Sequence, residues 1–137
     1  MRNYEAVATL LTLPDSVECV AGTRQISAPP VAPYAVSRCN FLTVLGQRLL
    51  DAARSKTVTD VAAFGFWCRK TNLQRFEQQF RYCGARLGLG LAFHATPANV
   101  PTNFIYSFAF SFLAGNSNVV RLPKSGVESV QIICSVI

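Results

Sequence analysis

The side chains best suited to chemistry are few in this sequence. Cys19, Cys39, Cys68, Cys83 and Cys134 are odd in number, widely spaced and form no CxxC pair, so they indicate neither a disulfide framework nor a zinc site. Reduced, mostly buried thiols are the expectation. A cysteine acts as a nucleophile only as a thiolate, which needs an activating environment, and none is visible around these five. His94 is the only histidine and lies in the apolar run RLGLGLAFHAT, where a hydrogen-bonded core or rim histidine is expected rather than a catalytic base. Asn99, in the segment ATPANVP, carries a side-chain amide that can donate and accept hydrogen bonds. Asparagine also caps helices, and on the residues alone a cap for a helix starting near Pro101 is the favoured reading.

The elements that would position these groups follow from the hydrophobic pattern. Residues 1–35 mix short apolar runs with Pro14, Gly22, Pro29, Pro30 and Pro33, which suits a strand or two and an extended connection. From Val36 to Arg54 the apolar residues recur at helical spacing through Phe41, Leu42, Leu45 and Leu49, predicting a helix with one buried stripe. A second helix is expected after Thr59, whose hydroxyl can cap it, with Val61, Phe64 and Trp67 on one side. Asn72 reads as a break, and Leu73, Phe76 and Phe80 predict a further short helix ending before Gly84. Residues 36–85 are therefore a helical segment.

The pattern changes at Arg86. RLGLGLAFHAT is almost wholly apolar, as expected of a parallel strand covered on both faces. The stretch NVPTNFIYSFAFSFLAG returns to a helical period between Pro101 and Gly115. NVVRLP is a second strand, and Ser125–Ile137, with Val127, Val130, Ile133 and Cys134 on one side, a closing helix. Strand, helix, strand, helix within residues 86–137 predicts an α/β fold: N-terminal helices lead into the first βαβα crossover of a Rossmann-like parallel sheet, which is incomplete.

Composition narrows the class. With 137 residues, half of them hydrophobic and 15% charged, the chain can bury one core and is not a disordered polymer. So much apolar surface predicts a protein partner or a missing domain covering exposed faces. The apolar stretches are interrupted and too short for a transmembrane helix. Glu5 interrupts the first apolar run and no small-residue cleavage site follows, which predicts a cytoplasmic protein. The net charge of +6 favours anionic partners such as a phosphate-bearing cofactor or nucleic acid, but no nucleic-acid module accompanies it, so a nucleic-acid partner is not expected.

The segment FHATPANVP, a helix, and then LAGNSNVVRLP together resemble the first nucleotide-binding crossover of the aldehyde dehydrogenase superfamily. Within it, FGFWCRKTNL at 64–73 and TPANVPTNFIYS at 96–107 are similar to the long-chain acyl-CoA reductases known from bacterial bioluminescence, which make fatty aldehyde from acyl-CoA. The resemblance covers roughly Val58–Arg121, and more loosely the whole chain, corresponding to the amino-terminal portion of a longer enzyme. It implies that Asn99 is the oxyanion-holding asparagine, a role that now stands level with capping. It implies that Thr96 and Pro97 belong to the cofactor-facing loop, and that Gly115, Asn116 and Arg121 match a Gly-Asn helix stop and a basic ribose contact. Arg121 stands where the family pattern has lysine, which keeps the charge and changes the donor's shape. No acidic residue follows, and Lys124 and Ser125 are placed for a 2′-phosphate, so NADP is expected over NAD; one extra residue, Leu122, precedes them. Gly115 and Asn116 also fit a plain left-handed helix stop.

Two functions are in play. The first is an NADP-dependent acyl-CoA reductase acting through an enzyme thioester, with acyl-CoA and the dinucleotide as partners. The second is a truncated, non-catalytic fragment or interaction subunit, because the family's nucleophilic cysteine is matched by none of the five here. For the chain alone the second is expected.

Overall fold

The computed structural model of the chain describes residues 10–27, 29–54, 56, 58–81, 83–123 and 128–137. The proline-rich N-terminal stretch contributes a short antiparallel hairpin, β1 (Leu10–Thr12) with β2 (Gln25–Ser27), in which Leu11 faces Ile26 across the ladder. Then come helix α1 (Val36–Arg54), α2 (Thr59–Trp67) and α3 (Lys70–Gln79). Strand β3 (Leu91–Ala95), helix α4 (Asn103–Leu113), strand β4 (Ser117–Arg121) and helix α5 (Glu128–Val136) complete the order. The α/β expectation holds: β3 and β4 pair in parallel around the α4 crossover, with Leu91 opposite Ser117 and Ala95 opposite Arg121.

Helix α1 buries Leu42, Leu45, Gly46, Leu49 and Ala53, spacings of three and four residues that line up on one stripe. Helix α2 lies unusually close to it. An added Cβ at Gly46 would sit 2.5 Å from the Cβ of Cys68, and one at Gly65 would sit 2.7 Å from Cγ of Leu50. The two glycines therefore set the distance between the helices. Phe64 and Val61, both fully buried, fill the space beside that crossing, and burial of each contributes about 1.5–3 kcal/mol. Helix α4 packs on both strands and on α1, while α5 packs on α1 and α2. One continuous core results, running from Leu42 through Phe64 and Ile105 to Ile133.

Several local expectations are corrected. The break after α2 falls at Cys68–Arg69, not at Asn72. Asn72 lies inside α3 and its Nδ2 donates to the carbonyl of Trp67 at 3.2 Å, so it satisfies the end of α2 from the next helix. Thr59 does not cap α2: the N-cap is Val58, without a side-chain bond, and the amide of Val61 is held instead by Oδ1 of Asp60 at 2.9 Å. The ladder of β3 begins only at Leu91. Before it, Gly88 N–H donates to Val31 O at 3.0 Å and Leu89 N–H to Oδ1 of Asn116 at 2.6 Å, so these residues are extended but engaged elsewhere. Nor is β3 covered on both faces. Leu87, Leu89, Leu91 and Phe93 alternate outward, with Leu89 97% and Phe93 67% exposed, whereas Ala92 and His94 turn toward α4. The run is apolar enough for a central strand, but α4 covers one side only.

Candidate functional site

The parallel register brings two of the expected site segments to one end of the sheet. Since Ala95 pairs with Arg121, the segment that leaves β3, Thr96 to Thr102, starts beside the residue that ends β4. Pro97, Asn99 and Arg121 are exposed there and Thr96 is half-buried. The segment turns at residues 98–102, with Asn103 N–H donating to Val100 O at 3.1 Å and Ile105 N–H to Thr102 O at 3.2 Å. Helix α4 begins at Asn103, and its N-cap is the buried Thr102, which makes no side-chain cap bond. Asn99 is three residues ahead of that position, so the capping reading is corrected. The helix starts two residues later than Pro101 suggests. Lys124 and Ser125 lie outside the described residues.

At the other end of α4, Gly115 and Asn116 form a closed stop. Gly115 N–H donates to Phe112 O at 3.1 Å and Asn116 N–H to Ser111 O at 3.2 Å, the paired bonds that finish a helix through a left-handed residue. Gly115 has φ +99°, and a Cβ on it would lie 2.1 Å from the carbonyl oxygen of Val31. Only glycine fits. The Asn116 amide then bridges outward, accepting from Leu89 N–H and donating to Oγ of Ser111 at 3.2 Å. Nη1 of Arg38 donates to Phe112 O at 2.7 Å and Asn116 O at 2.5 Å, placing a cation on the carboxyl end of the helix, where the dipole favours it. For this pair the structural explanation is complete.

The same network reaches His94. Nδ2 of Asn118 donates to Asn116 O at 2.9 Å, which fixes the orientation of the amide and leaves Oδ1 to accept from Nε2 of His94 at 2.8 Å. His94 therefore carries its proton on Nε2, and its Nδ1 accepts from the Ser107 hydroxyl at 2.8 Å. Both ring nitrogens are occupied and the residue is buried, as expected of a core histidine.

The thiols give no nucleophile at the loop. Burial pushes the Cys68 thiol up to about 12, and burial also raises Cys134 and Cys39, the latter with help from Glu77. A raised thiol is a poor source of thiolate. Among the described residues no group of His, Cys, Asp and Glu could hold a metal ion, and no helix is long and apolar enough to cross a membrane.

Sequence reasoning missed a cleft of about 410 Å³ along β4, walled by α4, α5 and the β1–β2 hairpin. Ser117–Val120 and Leu122 form its floor, Phe104, Phe108 and Phe112 one wall, and Cys134 and Ile137 another. Phe104 belongs to the buried core, and Phe108 and Phe112, packed against it, line this cleft as well. Their helical spacing on α4 was visible, but the hairpin that closes the opposite wall could not be placed. Thr96, Pro97, Asn99 and Arg121 are not among its lining residues.

The parallel β3–α4–β4 unit, with an exposed loop at its carboxyl end, defines an α/β protein of the kind that binds ligands beyond strand ends. The family model described as Acyl-CoA reductase (LuxC) matches residues 46–134. The chain belongs to that family. No curated protein and no solved structure matches it.

Proposed function

We propose that this chain supplies the cofactor-facing crossover of an NADP-dependent acyl-CoA reductase of the aldehyde dehydrogenase type, a family reaction that reduces an acyl group held as an enzyme thioester to a fatty aldehyde. The observation that supports this most directly is the common location of the loop after β3 and of Arg121, at the carboxyl end of two parallel strands. In this reading Asn99, exposed and free of capping duty, donates its amide hydrogens to the oxygen that gains charge when the acyl carbon is attacked. Arg121 holds the adenosine ribose, Thr96 and Pro97 shape the loop against the dinucleotide, and Lys124 and Ser125 take the 2′-phosphate. The bound nicotinamide supplies the hydride. The attacking thiolate is not one of the five cysteines of this chain, three of which are held as thiols by burial. Calorimetric titration of the folded chain with NADPH and NADH tests the cofactor part. Saturable binding that favours NADPH is expected, and heats no larger than dilution for both would sink it.

A second reading, an interaction subunit without catalysis of its own, is supported by the outward row Leu87, Leu89, Leu91 and Phe93. Parallel sheets are ordinarily covered on both faces. A sedimentation profile showing a lone monomer up to high micromolar concentration would count against it.

A further inference from the structure

The cleft along β4 has two strand edges among its walls. Successive residues of a strand point to opposite faces, so a cavity lying on one face of a sheet meets every second residue. This cleft is lined by Ser117, Asn118, Val119 and Val120 in unbroken succession, and on its far side by Gln25, Ile26 and Ser27 of β2. It therefore runs beside both strands rather than over them. The edge of β4 turned away from β3 makes no backbone hydrogen bond to another described residue, and β2 pairs only with β1 among the described strands. The two edges meet at one end, where Oγ of Ser117 donates to Ser27 O at 3.3 Å.

Backbone donors and acceptors that line such a slot are matched by another extended backbone. The surrounding side chains say what that backbone must carry. Phe104, Phe108, Phe112, Leu122 and Ile137 are apolar, and the charged liners are Glu18 and Arg38. Arg38 is already engaged: Nη1 donates to Phe112 O and Asn116 O, and the guanidinium lies 4.5 Å from the Phe112 ring centre. Glu18 is exposed on the hairpin loop. An uncharged, apolar strand matches this lining, whereas a charge carried into the slot would lose its water.

We propose that the cleft is a docking slot for an extended, uncharged apolar segment of a partner polypeptide, which adds to the open edge of β4 as a further strand of the β3–β4 sheet. Beside the 5-residue β4, such a segment needs a similar number of residues, a length of about 16 Å. The slot is separate from the outward row on β3 and from the loop that carries Asn99, so it stands or falls independently of both functional readings.

The 137-residue chain is titrated with a fluorescein-labelled peptide in which Val-Thr-Val-Ile-Val is flanked by lysines for solubility. Binding is followed by anisotropy, and amide exchange is read by mass spectrometry with and without the peptide. Saturable binding is expected, with exchange across residues 117–121 slowed at least about tenfold. The same peptide with every core amide N-methylated keeps its side chains and loses its donors, and is expected to bind at least about tenfold more weakly. A version with aspartate at the central position should lose about as much. No saturable binding up to millimolar peptide, undiminished binding of either altered peptide, or protection at residues 91–95 in place of 117–121 overturns the proposal. Binding that weakens as the chain's own concentration rises would show that a second copy fills the slot, and overturns it too.

Discussion

The two ends of helix α4 are held in opposite ways. At its carboxyl end, Gly115 and Asn116 are tied to Val31, Arg38, Leu89 and Ser111 by main-chain and side-chain bonds. At its amino end, the segment from Thr96 to Thr102 leaves Pro97, Asn99 and Val100 exposed, and the Asn99 amide makes no hydrogen bond to another described residue. Both segments carry the family resemblance, so resemblance alone does not distinguish what the residues are for. The bonding does. A polar side chain whose every group is engaged by its own protein is accounted for by folding, whereas an exposed amide at a strand end is available to a ligand.

This contrast is easiest to break at Gly115. Gly115→Ala forces a Cβ against Val31 O and a strained φ, and is expected to cost more than about 3 kcal/mol, read as a collapse of the denaturant midpoint. A loss under about 1 kcal/mol would mean that the turn tolerates side chains and is not a fixed anchor. Asn116→Ala should cost about 2 kcal/mol by orphaning the Leu89 amide and the Ser111 hydroxyl, again in denaturant melts. His94→Leu follows at about 1–3 kcal/mol, since it strands Ser107 and Oδ1 of Asn118; a neutral result would show that water replaces the ring. Asn99→Ala sharpens the other side: stability should change by less than about 0.5 kcal/mol. In a catalytically complete family member the matching substitution should reduce kcat by about 3 kcal/mol of transition-state stabilisation. Lost stability with unchanged kcat would return Asn99 to a structural role.

Much of this architecture is legible in the sequence, and the illegible parts have physical reasons. The periods of three and four across Leu42, Leu45 and Leu49, and across Phe104, Phe108 and Phe112, give α1 and α4 because a buried stripe writes itself directly into the residue order. Helix boundaries are less visible. Asn72 looks like a break because asparagine favours turns, yet its amide serves the preceding helix across a two-residue gap, a contact between elements that no local rule contains. Thr59 fails as a cap for a similar reason, with Asp60 holding the Val61 amide instead. For the candidate site, the sequence locates Asn99 and Arg121 but not their shared end of the sheet, which depends on the Ala95–Arg121 register. The cleft was invisible because it is assembled from the hairpin, α1, α4, β4 and α5, segments far apart in the chain.

The row Leu87, Leu89, Leu91 and Phe93 has a consequence for the protein in concentrated solution. Between Arg86 and Arg121 the sequence contains no Lys, Arg, Asp or Glu, so the stretch that carries this outward apolar face has no charge of its own to repel a like surface, and β3 has β4 on one edge only among the described strands. Such strands are templates for self-association unless charge or proline guards them. The shelf life of the folded chain is therefore governed by what shields this face, and strengthening the core around Phe64 would raise the melting temperature without slowing precipitation.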